Sequence, residues 1–107
     1  MGAKADVYRI VWRYEVRPEC LSAFARAYGA RGDWVELFRR DDAYLGTELF
    51  RSAGDPLAWA TVDTWASRAA YEAFRRRWAD DYAAIDARCE GLTTAERLLA
   101  AEERPER

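Results

Sequence analysis

Ten residues near the start of the chain, Val7 to Val16, read VYRIVWRYEV and alternate without interruption. Tyr8, Ile10, Trp12, Tyr14 and Val16 take one side, and Val7, Arg9, Val11, Arg13 and Glu15 take the other. Period two in β-branched and aromatic residues specifies a strand. Pro18 then suits the first turn of a helix, and Leu21, Phe24, Ala25 and Tyr28 follow on one helical face.

The next stretch, Gly29-Ala30-Arg31-Gly32-Asp33-Trp34, admits three readings: a phosphate-cradling glycine loop, an adhesion tripeptide, or a joint between helices. A phosphate loop follows a strand and carries G-K-[ST] or G-x-G-x-x-G, and neither pattern is present. The adhesion reading needs secretion, and no signal peptide is apparent. The joint is the preferred reading. Gly29 is placed as a C-cap with positive φ, and Asp33 as an N-cap whose D-x-x-E with Glu36 varies the capping box. Trp34, Leu37 and Phe38 give a short second helix its apolar side.

Tyr44 to Arg51 and Leu57 to Trp65 read as an antiparallel hairpin about the turn residues Ser52 to Pro56. Ser67 can cap the helix that follows. Tyr71, Phe74, Trp78, Tyr82, Ile85 and Cys89 form a continuous stripe closed by Gly91. A straight helix over that span would reach about 36 Å, longer than the strands, so a break is expected near Trp78 to Asp81. The segment LTTAERLLA fits a helix capped at Thr93 or a last strand from Ala95 to Ala100, and EERPER reads as a frayed tail.

Composition narrows the function. With 107 residues, half of them apolar, the chain is expected to form one domain, with a core over about 7–100 and residues 101–107 as the tail. A net charge of -2 gives no electrostatic footprint for nucleic acid. No histidine is present, which removes the usual neutral-pH base and the commonest metal ligand. Cys20 and Cys89 form no C-x-x-C, so no transition metal and no haem turnover are expected. No apolar run is long enough for a membrane span, and the two thiols suit a reducing compartment, so a cytoplasmic location is expected.

Strand, helix, hairpin, helix and a possible last strand give the βαββαβ order of an α+β, ferredoxin-like domain. The segments FARAYGARGDWVELFRRDDAYLGTELFR, TVDTWASRAAYEAF and YAAIDARCEGLTTAERLL make the resemblance more specific. From about Val7 to Leu99 the chain resembles the antibiotic biosynthesis monooxygenase-like proteins. The resemblance implies that the C-terminal segment is a strand, completing a four-stranded antiparallel sheet. It also implies a homodimer in which two such sheets pack into a dimeric α+β barrel. The polyketide oxygenases of that superfamily carry Asn on the third strand, Trp four residues on and Tyr six further. The corresponding residues here are Thr61, Trp65 and Tyr71, so a hydroxyl replaces the amide. The haem-degrading members use a histidine that this chain lacks.

Leu57, Trp59, Thr61, Asp63 and Trp65 share strand parity, which places a carboxylate between two tryptophans. Asp63 is either a general base or substrate anchor with a pKa raised by desolvation, or the structural partner of Arg9 or Arg13. Trp12, Tyr14, Trp34, Trp59, Trp65, Tyr71 and Trp78 can line a flat pocket or fill an ordinary core. Tyr82 is assigned to packing, and Arg75, Arg76 and Arg77 to solvent.

The expectation is a cofactor-independent oxygenase of an aromatic, polyketide-like molecule. Trp65, Asp63 and Tyr71 are its candidate catalytic residues, and Thr61, Trp59, Tyr14 and Trp34 line its site. The alternative is a non-catalytic small-molecule-binding or assembly domain of the same fold. An open cavity with a polar group directed into it favours the first; a space filled by its own aromatics favours the second. Ala58, Ala60, Val62 and Thr64 are expected on the sheet face away from the helices, with Val7 and Val11 or the opposite parity of the first strand, and to meet the second copy.

Overall fold

The computed structural model describes residues 7–105. The chain begins with β1 (Tyr8–Val16), a 3-10 turn (Pro18–Cys20), α1 (Leu21–Tyr28) and α2 (Asp33–Phe38). The hairpin β2 (Tyr44–Arg51) and β3 (Ala58–Trp65) follows. Then come α3 (Arg68–Arg77), α4 (Ala79–Cys89), a second 3-10 turn (Glu90–Leu92) and β4 (Thr93–Glu103). The four strands form one antiparallel sheet in the order β2-β3-β1-β4. This is the α+β, ferredoxin-like βαββαβ fold, with each helical connection broken in two.

The alternation in β1 does what its period requires. Tyr8, Ile10, Tyr14 and Val16 are buried under the helices, while Arg9 is exposed. Phe24 of α1, Phe74 of α3 and Trp65 of β3 are wholly buried against them. Each such aromatic contributes about 1.5–3 kcal/mol by leaving water. Ser67 caps α3 by accepting from the Ala70 N–H at 3.0 Å. The second helix breaks at Trp78, whose φ of -111° and ψ of 30° end one helix and begin the next.

Three expectations about the backbone are corrected. Gly29 has φ -84°, so its place at the end of α1 does not rest on a left-handed conformation. The joint needs small residues for space instead. A Cβ on Gly29 would stand 2.6 Å from the Ala25 carbonyl oxygen, and one on Gly32 would stand 2.2 Å from those of Arg26 and Ala27. Asp33 makes no cap: Gly32 holds that position, and the Asp33 carboxylate instead accepts from Arg88 of α4 at 2.8 Å. The frayed tail is shorter than expected. β4 continues through Glu103, where Ala101, Glu102 and Glu103 pair with Ile10, Arg9 and Tyr8 of β1. An Arg9–Glu102 ion pair at 2.6 Å lies on that edge. Residues 106 and 107 of the expected tail lie outside the described residues.

The hairpin register is centred on its turn: Arg51 faces Trp59, Leu49 faces Thr61 and Thr47 faces Asp63. It then shifts. Gly46 faces Thr64 and Tyr44 faces Trp65, so Leu45 is an extra residue, a β-bulge. Gly46 takes φ +149°, a conformation open to glycine and strained for other residues. In a regular strand residues three apart face opposite sides. The bulge absorbs Leu45, so Tyr44 and Thr47 both face the helices, and their hydroxyls meet at 2.6 Å.

Among the described residues, no helix is long and apolar enough to cross a membrane.

Candidate functional site

Between the sheet and the helices lies a cavity of about 230 Å³. Its floor is the helix-facing row of the sheet: Trp12 and Tyr14 of β1, Thr61 and Asp63 of β3, Thr47 of β2 and Glu96 of β4. The helices close it with Tyr28 of α1, Trp34 and Phe38 of α2, Arg75 of α3, and Tyr82 and Asp86 of α4. Arg75, Asp86 and Glu96 are exposed and form the rim.

Asp63 is the carboxylate on the floor between the aromatic walls. Neither Arg9 nor Arg13 reaches it, which corrects the structural-pair reading: Asp63 stands opposite Ile10, and both arginines belong to the other parity of β1, where Arg9 is engaged by Glu102. Its hydrogen-bond partner is Thr47, whose hydroxyl donates to Oδ1 at 2.7 Å. Burial without a countercharge pushes the Asp63 pKa up to about 6, although the Thr47 hydrogen bond opposes the rise. A carboxylate poised there is mostly ionised at neutral pH and is a competent proton acceptor.

Tyr14 and Thr61 form a second polar point on the floor, their hydroxyls 3.0 Å apart. Either can donate, so one hydroxyl hydrogen joins the pair and the other stays free for a ligand oxygen. Burial raises the pKa values of Tyr14, Tyr28 and Tyr82 above the ordinary phenol value, so these groups stay protonated. The phenols are therefore donors and walls. At the rim, partial desolvation also raises Glu96, reinforced by nearby Asp86.

Arg75 bends back over the Tyr82 ring, 3.8 Å from its centroid, and donates to the Tyr71 hydroxyl at 3.1 Å. Arg75 is exposed, as expected of the Arg75–Arg77 run, and also stands at the rim. Tyr82 packs as expected, edge-on against Trp34 at 4.8 Å, and also borders the cavity.

The seven expected site residues separate into two groups. Asp63, Thr61, Tyr14 and Trp34 border the cavity. Trp65, Tyr71 and Trp59 do not border it. Trp65 is 0% exposed, enclosed by Phe38, Tyr44, Tyr71 and Phe74 at centroid distances of 4.8–5.5 Å. Its indole N–H is buried and has no hydrogen-bond partner among the described residues. Tyr71 lies behind it at 5.3 Å and meets the rim through Arg75. Trp59 lies toward the hairpin turn, where its Nε1 donates to the Pro56 carbonyl at 3.0 Å. Thr47, Tyr28, Phe38, Asp86 and Glu96 border the cavity without having been expected there. Thr47 had a usable signal: pairing the hairpin outward from its turn sets it opposite Asp63.

The family model for antibiotic biosynthesis monooxygenase matches residues 7–88. Solved structures share the fold over nearly the whole chain. PA3566 from Pseudomonas aeruginosa is 15% identical, with TM-score 0.68, over 97% of this chain and 99% of its own. Rv0793 from Mycobacterium tuberculosis is 23% identical, with TM-score 0.65, over 88% and 93%. SnoaB, a cofactor-independent oxygenase from Streptomyces nogalater solved as a point mutant, is 21% identical, with TM-score 0.62, over 92% and 95%. At these identities the structures speak for the fold alone. Comparison with curated proteins gives no significant match.

Proposed function

The chain belongs to the antibiotic biosynthesis monooxygenase family, and from that premise we propose that it oxygenates a planar aromatic phenol or enol without a cofactor, using Asp63 as the base. The observation that carries this reading is a part-buried carboxylate that has no cationic partner among the described residues, on the floor of an aromatic cavity. A space filled by its own aromatics would have favoured a non-catalytic binding or assembly domain. The volume of about 230 Å³ compares with about 150 Å³ for an apolar cavity that takes benzene, so one or two fused rings fit.

The chemistry follows from the placement of the groups. Trp12, Trp34 and Phe38 hold the ring, and the free hydroxyl of the Tyr14–Thr61 pair donates to a ligand oxygen. Asp63 takes a proton from the acidic C–H of the keto tautomer. The resulting carbanion reduces dioxygen and forms a C–O bond, giving a peroxide. The O–O bond then breaks and the remaining hydrogen leaves that carbon. One oxygen stays as a carbonyl, and the other departs as hydroxide, which takes the proton from Asp63 and leaves as water. The substrate carbon supplies all four electrons. Trp65 and Tyr71 act from behind the wall: Trp65 sets Phe38, and Tyr71 sets Arg75.

The same reading includes a homodimer. The open sheet face presents Val11 opposite Val62, with Ala60, Ala100 and the half-exposed Phe50 on the same side. Ala58 adds little to it, because it is already buried in the single chain.

The test is oxygen uptake by the purified protein with a panel of planar one- and two-ring quinols and phenols. Asp63→Asn is expected to lower the rate about 100-fold or more. Unchanged uptake in that variant removes Asp63 as the base. Binding without turnover across the panel returns the chain to the binding-domain reading.

A further inference from the structure

We propose that Thr47 and Tyr44 are positioning residues for the base: a two-hydroxyl relay that holds Asp63 ionised and turns its second oxygen toward the ligand. The inference rests on the reading of Asp63 as the base.

The geometry gives the relay one direction. The Thr47 hydroxyl donates to Asp63 Oδ1 at 2.7 Å. Its single hydrogen is then used, so in its 2.6 Å contact with the Tyr44 hydroxyl it must accept. Tyr44 therefore donates to Thr47, and Thr47 to Asp63. Donors in series polarise one another and strengthen the terminal bond, which here ends on a carboxylate. With Oδ1 occupied, Oδ2 is the oxygen left for a ligand proton; among the described residues no hydrogen bond to it is formed.

The backbone is arranged to make this contact. Thr47 sits directly opposite Asp63 in the hairpin register, so one strand pairing sets their separation. Tyr44 reaches Thr47 because the bulge at Leu45 brings both to the same face. The Tyr44 ring is then held between Phe38 at 5.4 Å and Trp65 at 5.3 Å. This gives the buried Trp65 a role that needs no contact with the cavity: it fixes the ring that orients the relay.

Other titratable groups border the same cavity: Tyr14 on β1, Tyr28 on α1, Arg75 on α3, Tyr82 and Asp86 on α4, and Glu96 on β4. Arg75 is committed to Tyr71 and the Tyr82 ring. Thr47 is the group that hydrogen-bonds the Asp63 carboxylate, and its effect opposes the rise caused by burial.

The experiment measures the Asp63 carboxyl titration by carbon-detected NMR in the ligand-free protein, with the acidic limb of the oxygen-uptake profile beside it. Thr47→Val removes the donor and keeps the shape, so Asp63 is expected to titrate about one pH unit higher. The acidic limb is expected to move with it. Thr47→Ser should restore both, and Tyr44→Phe should give a smaller rise in the same direction. An unmoved Asp63 titration in Thr47→Val overturns the proposal, as does a Thr47→Ser protein that behaves like Thr47→Val. Should Thr47→Val fail to fold, Tyr44→Phe decides, and no rise there overturns the relay. Failure of the base reading is distinct: Asp63→Asn would then keep its turnover while the titration results stood.

Discussion

In the proposed site, Asp63 occupies a position where its role as base and the stability of the fold conflict. Its pKa stands at about 6 in the folded chain against an ordinary 3.8. A gap of about two pH units corresponds to about 3 kcal/mol. Because the folded value is raised, the ionised form opposes folding. Below about pH 4 the group is protonated in both states and contributes no difference. Between about pH 4 and pH 6 the unfolded chain ionises first, so stability falls as pH rises; above that the full cost remains. Asp63→Asn should therefore stabilise the protein by about 1–2 kcal/mol at pH 8, part of the gap remaining because an amide is still buried. Thermal melts at pH 4 and pH 8 check this: the gain should appear at pH 8 and vanish at pH 4. This residue was legible in the sequence, because strand parity alone sets a carboxylate between Trp59 and Trp65. Which face the two β1 arginines take relative to Asp63 was not legible. It depends on the pairing of β1 with β3, which sets Ile10 opposite Asp63 and turns Arg9 and Arg13 to the outer face.

At the scale of elements, periodicity carried β1, β2, β3 and the two helical faces, and the length of the second stripe required its break at Trp78. β4 rested on the family resemblance, because its residues alone fit a helix as well. Two further things escaped periodicity. One is the bulge in β2, which leaves YLGTELFR looking like an ordinary strand while changing which side Tyr44 faces. The other is the reason for the glycines between α1 and α2, which is contact distance and not dihedral angle. That reason sorts the glycines by consequence. Gly32→Ala places a methyl 2.2 Å from two carbonyl oxygens of α1, so the joint must shift. Gly54→Ala and Gly91→Ala meet nothing within 4 Å. Denaturant unfolding should show a loss of about 2 kcal/mol or more for Gly32→Ala and about 0.5 kcal/mol or less for the other two. Equal effects at all three would show that the joint is soft.

For the whole molecule, the sheet is covered on one face only. Val62 lies near the centre of the open face, opposite Val11 on one side and Glu48 on the other. Val62→Arg can pair with Glu48 in a lone chain, so folding is expected to survive. It would also force that ion pair out of water, at a desolvation cost, if two such faces met. Mass measurement at micromolar concentration should find a dimer for the parent chain and a folded monomer for Val62→Arg. A monomeric parent would remove the second copy from the proposal.

The bulge in β2 also has a consequence for heredity. Any side chain at Gly46 strains the φ of +149° there, and the strand can relax by straightening. Straightening admits Leu45 to the register and turns Tyr44 to the outer face. Losing Leu45 has the opposite effect, because a chain one residue shorter runs regularly with Tyr44 still directed inward. Loss of Leu45 thus suppresses a change at Gly46, restoring the phase that the straightened strand disturbs, as one frameshift corrects another. Lineages that part with the glycine are expected to part with its neighbour as well.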